Sequence, residues 1–108
     1  MGGLETPDRL PSLREFSRCL ASTFHALGDS LDPVALELTE AVPLRSRPQD
    51  PSGNLRSEPF SLLFRGPLTP LLPQRIHRLA HPELGTLEIF IVPVGPDGAG
   101  QRYEAIFN

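Results

Sequence analysis

The sequence contains no lysine; all ten of its basic residues are arginine. That excludes a lysine Schiff base and a Walker-type phosphate lysine. A second cysteine is also missing. Cys19 alone cannot close an intramolecular disulfide, which fits a reducing compartment. There is no basic excess either. A net charge of −3 gives no field to hold phosphates, so nucleic acid is not expected as a partner. No apolar run approaches the length of a membrane span, because Pro, Arg, His or Glu interrupts each one. The first residues, MGGLETPDRLPSLREF, lack the basic-then-apolar order of a signal peptide. A cytoplasmic location is the expectation, with no membrane contact.

What is present is a chain of 108 residues, 39% apolar, enough for one domain with one modest core. Thirteen prolines and nine glycines favour short elements and many turns over long helices. Residues 1–11 are polar and carry Gly and Pro, so they read as a flexible arm before a single β-rich domain over 12–108. Ser12 and Glu15 fit a capping box, and Leu13, Phe16 and Leu20 follow at helical spacing. This predicts a helix over about 13–21 that lays Phe16 and Leu20 on a sheet.

From Ser22 the period becomes two. Residues 22–27 read as a strand and residues 28–32, GDSLD, as a turn. Val34, Leu36, Leu38 and Val42 then alternate with small or polar residues, as on a half-buried strand. Residues 45–58 form a long polar loop that is either mobile or functional. Phe60, Leu62 and Phe64 alternate next. Residues 68–73, LTPLLP, are an apolar loop whose two prolines forbid regular pairing. A strand over 75–80 has Ile76 and Leu79 on opposite faces, which predicts a bulge or a twisted edge. Thr86 to Val92 is apolar on both faces and reads as a central or covered strand. A hairpin loop, GPDGAG, precedes the last strand, 102–107. Phe60, Phe64, Leu87, Ile89, Phe90 and Phe107 are the expected core.

About six short strands after one short N-terminal helix predict a mainly β fold, a small antiparallel meander sheet or partly closed barrel. The sharpest chemical pattern is His77, His81 and Glu83, the last two in the stretch HPELG. On a strand, positions i and i+4 share a face, but roughly 13 Å of extended chain separates them, too far for one metal without a bulge. HPELG is therefore read as a turn. Pro82 fixes a backbone angle, Gly85 supplies a left-handed residue, and His81 is expected to be replaceable without loss of fold. GPDGAG lacks the spacing of a phosphate loop, and Asp97 would repel phosphate. Cys19 reads as a buried structural thiol, and no serine has a G-x-S-x-G setting. No catalytic residue, bound metal or cofactor is expected. Leu68, Leu71 and Leu72 are the candidate partner-binding residues, since a loop that cannot pair leaves them either over a barrel end or in an apolar patch.

The stretches FSLLFRGP (60–67), LPQ (72–74), HPELG (81–85), IFIVPVGPD (89–97) and RYEAIFN (102–108) resemble an uncharacterised bacterial family of small domains of unknown function. They cover roughly the last half of the chain, and the 45–58 loop departs from the pattern. The resemblance carries over no established activity and no catalytic residues. It implies kinship with accessory proteins encoded beside phage-derived, tail-collar-like proteins. The expected function is a non-catalytic protein-interaction or assembly module, binding a protein partner or a second copy through the 68–73 loop or an exposed strand edge. The alternative is a small-ligand or metal-binding barrel using His77, His81 and Tyr103.

Overall fold

A computed structural model describes residues 10–28, 32–44 and 59–107. One short helix, α1 (Leu13–Ser17), precedes six strands: β1 (Thr23–Leu27), β2 (Val34–Pro43), β3 (Phe60–Gly66), β4 (Arg75–His81), β5 (Gly85–Asp97) and β6 (Gly100–Phe107). All neighbouring strands are antiparallel, and they close into a barrel in the order β1-β2-β3-β6-β5-β4. The expected meander occurs twice, as β1-β2-β3 and β4-β5-β6. Residues 67–74 carry the chain between the two, and the β1–β4 pairing closes the sheet.

Closure gives each strand one inward and one outward row. Phe24, Leu36, Leu38, Leu62, Phe64, Leu79, Leu87, Ile91 and Tyr103 fill the interior and are buried. α1 lies at one end of the barrel. Ser12 caps it: its hydroxyl accepts the Glu15 amide, and the Glu15 carboxylate accepts the Ser12 amide. This is the capping box read from the sequence. The helix is shorter than the expected 13–21. It ends after one turn because the chain reverses at Ala21, whose φ of 67° is left-handed, to place Ser22 and Leu38 in register. Only Phe16 of the predicted pair is buried, and Leu20 is exposed. Phe16 packs its ring against Phe24, Phe60 and Phe107 and plugs that end.

Three further expectations are corrected by the closed sheet. Phe90 is 48% exposed, because no second layer among the described residues covers the outside of β5, and Phe107 is only half-buried. The pairing of β4 with β5 is continuous, so β4 carries neither bulge nor edge, and Ile76 faces solvent. The irregularity falls in β2, between Leu38 and Glu40. It shifts the phase so that Ala41 packs on the core and Val42 points out. The predicted loop over 45–58 and residues 1–9 of the predicted 1–11 arm lie outside the described residues, as does most of the 28–32 turn.

Candidate functional site

The candidate site residues read from the sequence lie toward the two barrel ends. At the end plugged by Phe16, β4 finishes at His81, and residues 82–84 turn the chain into β5. Gly85 takes a φ of +81°, the left-handed conformation the turn needs. HPELG is therefore a turn, as its residues predict. His81, however, is no spare part of it. The side chain is 6% exposed, and its ring lies 4.4 Å from that of Phe24. Nδ1 accepts the backbone amides of Glu83 at 3.0 Å and Leu84 at 3.3 Å. Two donors aimed at Nδ1 fix the neutral tautomer, with the ring proton on Nε2. Nε2 lies 2.9 Å from Ser22 Oγ and donates to it, and Ser22 Oγ in turn donates to the Cys19 carbonyl. The expectation that His81 is dispensable is corrected: its ring ties the β4–β5 turn to the segment that leads from α1 into β1.

The direction of this relay decides its chemistry. A histidine that activates a serine must accept the hydroxyl proton. Here the imidazole donates to the serine and the proton points onward to a carbonyl. Burial lowers the His81 pKa, and the Glu83 charge opposes that shift only in part. Cys19 lies in the turn after α1 and is buried. Burial pushes its thiol pKa up, and Glu83 and Glu15 push it further, so the sulfur stays protonated and poorly nucleophilic.

At the opposite end, residues 67–74 cross the barrel. Tyr103, fully buried on β6, accepts the Leu72 amide at 3.0 Å through its phenolic oxygen. His77, buried on β4, donates Nε2–H to the Pro73 carbonyl at 2.8 Å. Leu72 packs on the core, so its reading as an exposed partner-binding residue is corrected. Leu68 and Leu71 are 59% and 56% exposed. The loop is thus a lid fixed from below by two hydrogen bonds and one leucine, and it presents two leucines to solvent. The Thr69–Pro70 bond within it is cis.

His77, His81 and Tyr103 do not converge. His77 and Tyr103 serve the lid, and His81 serves the other end. Among the described residues no group of three His, Cys, Asp or Glu side chains is placed to hold a metal, and Glu83 is exposed on its turn. Nor does any buried side-chain nitrogen or oxygen there lack a hydrogen-bond partner. GPDGAG forms the β5–β6 hairpin. Asp97 Oδ1 accepts the amides of Ala99 and Gly100, and Oδ2 pairs with Arg65 on β3 at 2.9 Å. The Ala99 amide, then the Arg65 guanidinium, holds its carboxyl below the usual range. The sequence alone does not reveal Ser22 and Tyr103 as tethers, since their partners lie 59 and 31 residues away.

Fold and ends together define a small closed antiparallel barrel, plugged by an aromatic side chain at one end and lidded by an apolar loop at the other. Residues 11–107 match the family described as Domain of unknown function (DUF6916), and the chain belongs to that family. No curated protein and no solved structure matches it. No helix among the described residues is long and apolar enough to cross a membrane.

Proposed function

We propose that this domain is a non-catalytic protein-interaction module that docks a protein partner on the lid, residues 67–74. The observation that carries this reading is the pair Leu68 and Leu71, more than half exposed on a loop held to the barrel by Tyr103, His77 and Leu72. Apolar side chains presented on a fixed backbone lose little conformational entropy on binding, so they suit anchoring. The relay runs from the histidine through the serine hydroxyl to a carbonyl, so the serine is not activated, and the thiol is buried with its pKa raised, which favours binding over catalysis. Strand addition is no longer part of the proposal, because every strand of the barrel has a neighbour on both sides. The likeness of the second half to accessory proteins encoded beside tail-collar-like proteins favours an assembly role, accessory to a phage-tail-like structure and carried out in the bacterial cytoplasm.

The test is the Leu68→Ser, Leu71→Ser double variant, used as bait in a pull-down from the native host beside the wild type. Its melting temperature should match the wild type, since both side chains are exposed, and a partner captured by the wild type should be absent. A folded variant that captures the same partner removes the lid from consideration.

A further inference from the structure

The plugged end of the barrel is closed by a segment that is not itself part of the sheet. Residues 12–22 precede the first strand pairing, Thr23 with Glu37. They meet the barrel through the Phe16 ring and the His81–Ser22 bond. Two backbone hydrogen bonds add to these, Ala21 N–H to the Leu38 carbonyl and Leu38 N–H to the Ser22 carbonyl. All these contacts lie outside the ladders that close the barrel. A five-residue helix has no stability of its own, so the segment is ordered only while docked. It is therefore a unit that can open while the six strands stay paired.

His81 ties that unit to a single proton. Its Nδ1 is occupied by the Glu83 and Leu84 amides, and its Nε2–H is given to Ser22. A second ring proton has to go on Nδ1, where it meets two N–H groups. The ring must then turn away from the amides, and Nε2 turns with it, off Ser22. Around the ring stand Glu83 from the turn, Cys19 and Ser22 from the segment, Phe24 from β1 and Gly85, its cross-strand partner, from β5. Glu15 on α1 acts on the Cys19 thiol. Burial opposes the proton more than Glu83 favours it, and undocking the segment removes much of that burial. We infer that residues 12–22 are an acid-sensitive latch: protonation of His81 detaches the segment and draws the Phe16 plug from the barrel. The detached state leaves a socket lined by Phe24, Phe60 and Phe107, at the end opposite the lid and independent of it. Above the ordinary histidine pKa of 6.5 the ring is neutral docked or undocked, and pH has no effect on the latch. Below it the undocked ring takes a proton that the docked ring refuses, so opening increases as pH falls. At pH 5 one histidine can raise the opening constant by at most roughly thirtyfold.

Cys19 supplies the reporter, being the sole thiol of the chain and buried within this segment. The experiment times its reaction with a dipyridyl disulfide, a reagent that thiols attack even in acid, at pH 8 and at pH 5. Each rate is divided by that of the denatured chain at the same pH, which cancels the ionisation of the thiol itself and leaves the opening constant. That constant should rise severalfold between pH 8 and pH 5, up to the limit of roughly thirtyfold for one histidine. At both pH values it should exceed the opening constant of the β5 amides, measured by hydrogen exchange, by about tenfold or more, because the segment opens without the barrel. In His81→Asn, which keeps an acceptor for the two amides but cannot titrate, the Cys19 opening constant should be the same at the two pH values. His81→Gln carries the same test if His81→Asn does not fold. A wild-type constant that does not change with pH, or an equal pH response in the non-titrating variant, would overturn the inference. So would a thiol that reacts only in step with the β5 amides, since the segment would then open only when the whole barrel unfolds.

Discussion

His81 and Ser22, 59 residues apart, meet through a 2.9 Å hydrogen bond in which the imidazole Nε2 is the donor. The two backbone amides on Nδ1 impose this direction, so the neutral ring is the form the fold requires. Protonating Nδ1 would set a third N–H against two others in a buried site.

That arrangement predicts a pH dependence with a definite sign. The folded pKa of His81 lies below its ordinary 6.5, with burial as the main cause. The stabilisation from the neutral ring is therefore complete above pH 6.5 and is lost as pH falls from there to the folded pKa. Melting temperature measured between pH 8 and 5 should drop more steeply for the wild type than for His81→Asn, which keeps an acceptor for the amides but does not titrate. Parallel curves would show that the ring is not held neutral.

The aromatic plug gives the second prediction. Phe16 is fully buried among three phenylalanine rings, so Phe16→Ala should cost about 3–5 kcal/mol in denaturant unfolding. Phe90→Ala should cost less than about 1 kcal/mol, since the side chain is already half in water. The ordering of the two midpoints checks whether α1 closes the barrel.

Gly85 and Gly66 separate backbone strain from steric clash. A Cβ at Gly85 meets nothing within 4 Å, so the cost of Gly85→Ala is that of a left-handed backbone, about 1–2 kcal/mol. A Cβ at Gly66 lies 2.6 Å from Leu36 Cδ2 in the core, so Gly66→Ala should cost more, about 1–3 kcal/mol on overpacking alone and further if the strand must move. Gly85→Val should exceed Gly85→Ala, because β-branching adds to the strain. Unfolding free energies of the three variants test the order.

The lid is tethered through Tyr103, and Tyr103→Phe removes only the hydroxyl. The Leu72 amide then loses its acceptor, at a cost of about 1–3 kcal/mol if it stays buried. Amide exchange at Leu72 should speed up while exchange in β5 changes in step with global stability alone. Unchanged protection at Leu72 would show that the lid is held by packing.

Much of this was legible before the structure. Ser12 and Glu15 announced the start of α1 through a purely local reciprocal contact. The alternation of Phe60, Leu62 and Phe64 marked a strand and its inward row, and the apolar stretches over 86–92 and 102–107 marked two more strands. Gly85 marked a turn because few other residues tolerate its φ. The lid was visible as an unpaired apolar stretch, but which of its leucines faced in was not. Leu72 and Leu71 are adjacent and identical, and only the Tyr103 hydroxyl beneath the loop distinguishes them.

The sequence by itself determined the local geometry: where strands run, where the chain turns, and that each strand has two different rows. Those properties depend on neighbours one to four residues away, through backbone sterics and side-chain period. Only the tertiary structure decided which row had cover. Phe90 and Ile91 are both apolar, yet closure of β1 on β4 turns Ile91 into the interior and leaves Phe90 in solvent. The same closure brought His81 to Ser22 and Tyr103 to Leu72, contacts set by strand order and register. Burial is a property of what lies opposite a side chain in space, and in a barrel what lies opposite comes from strands far away along the chain.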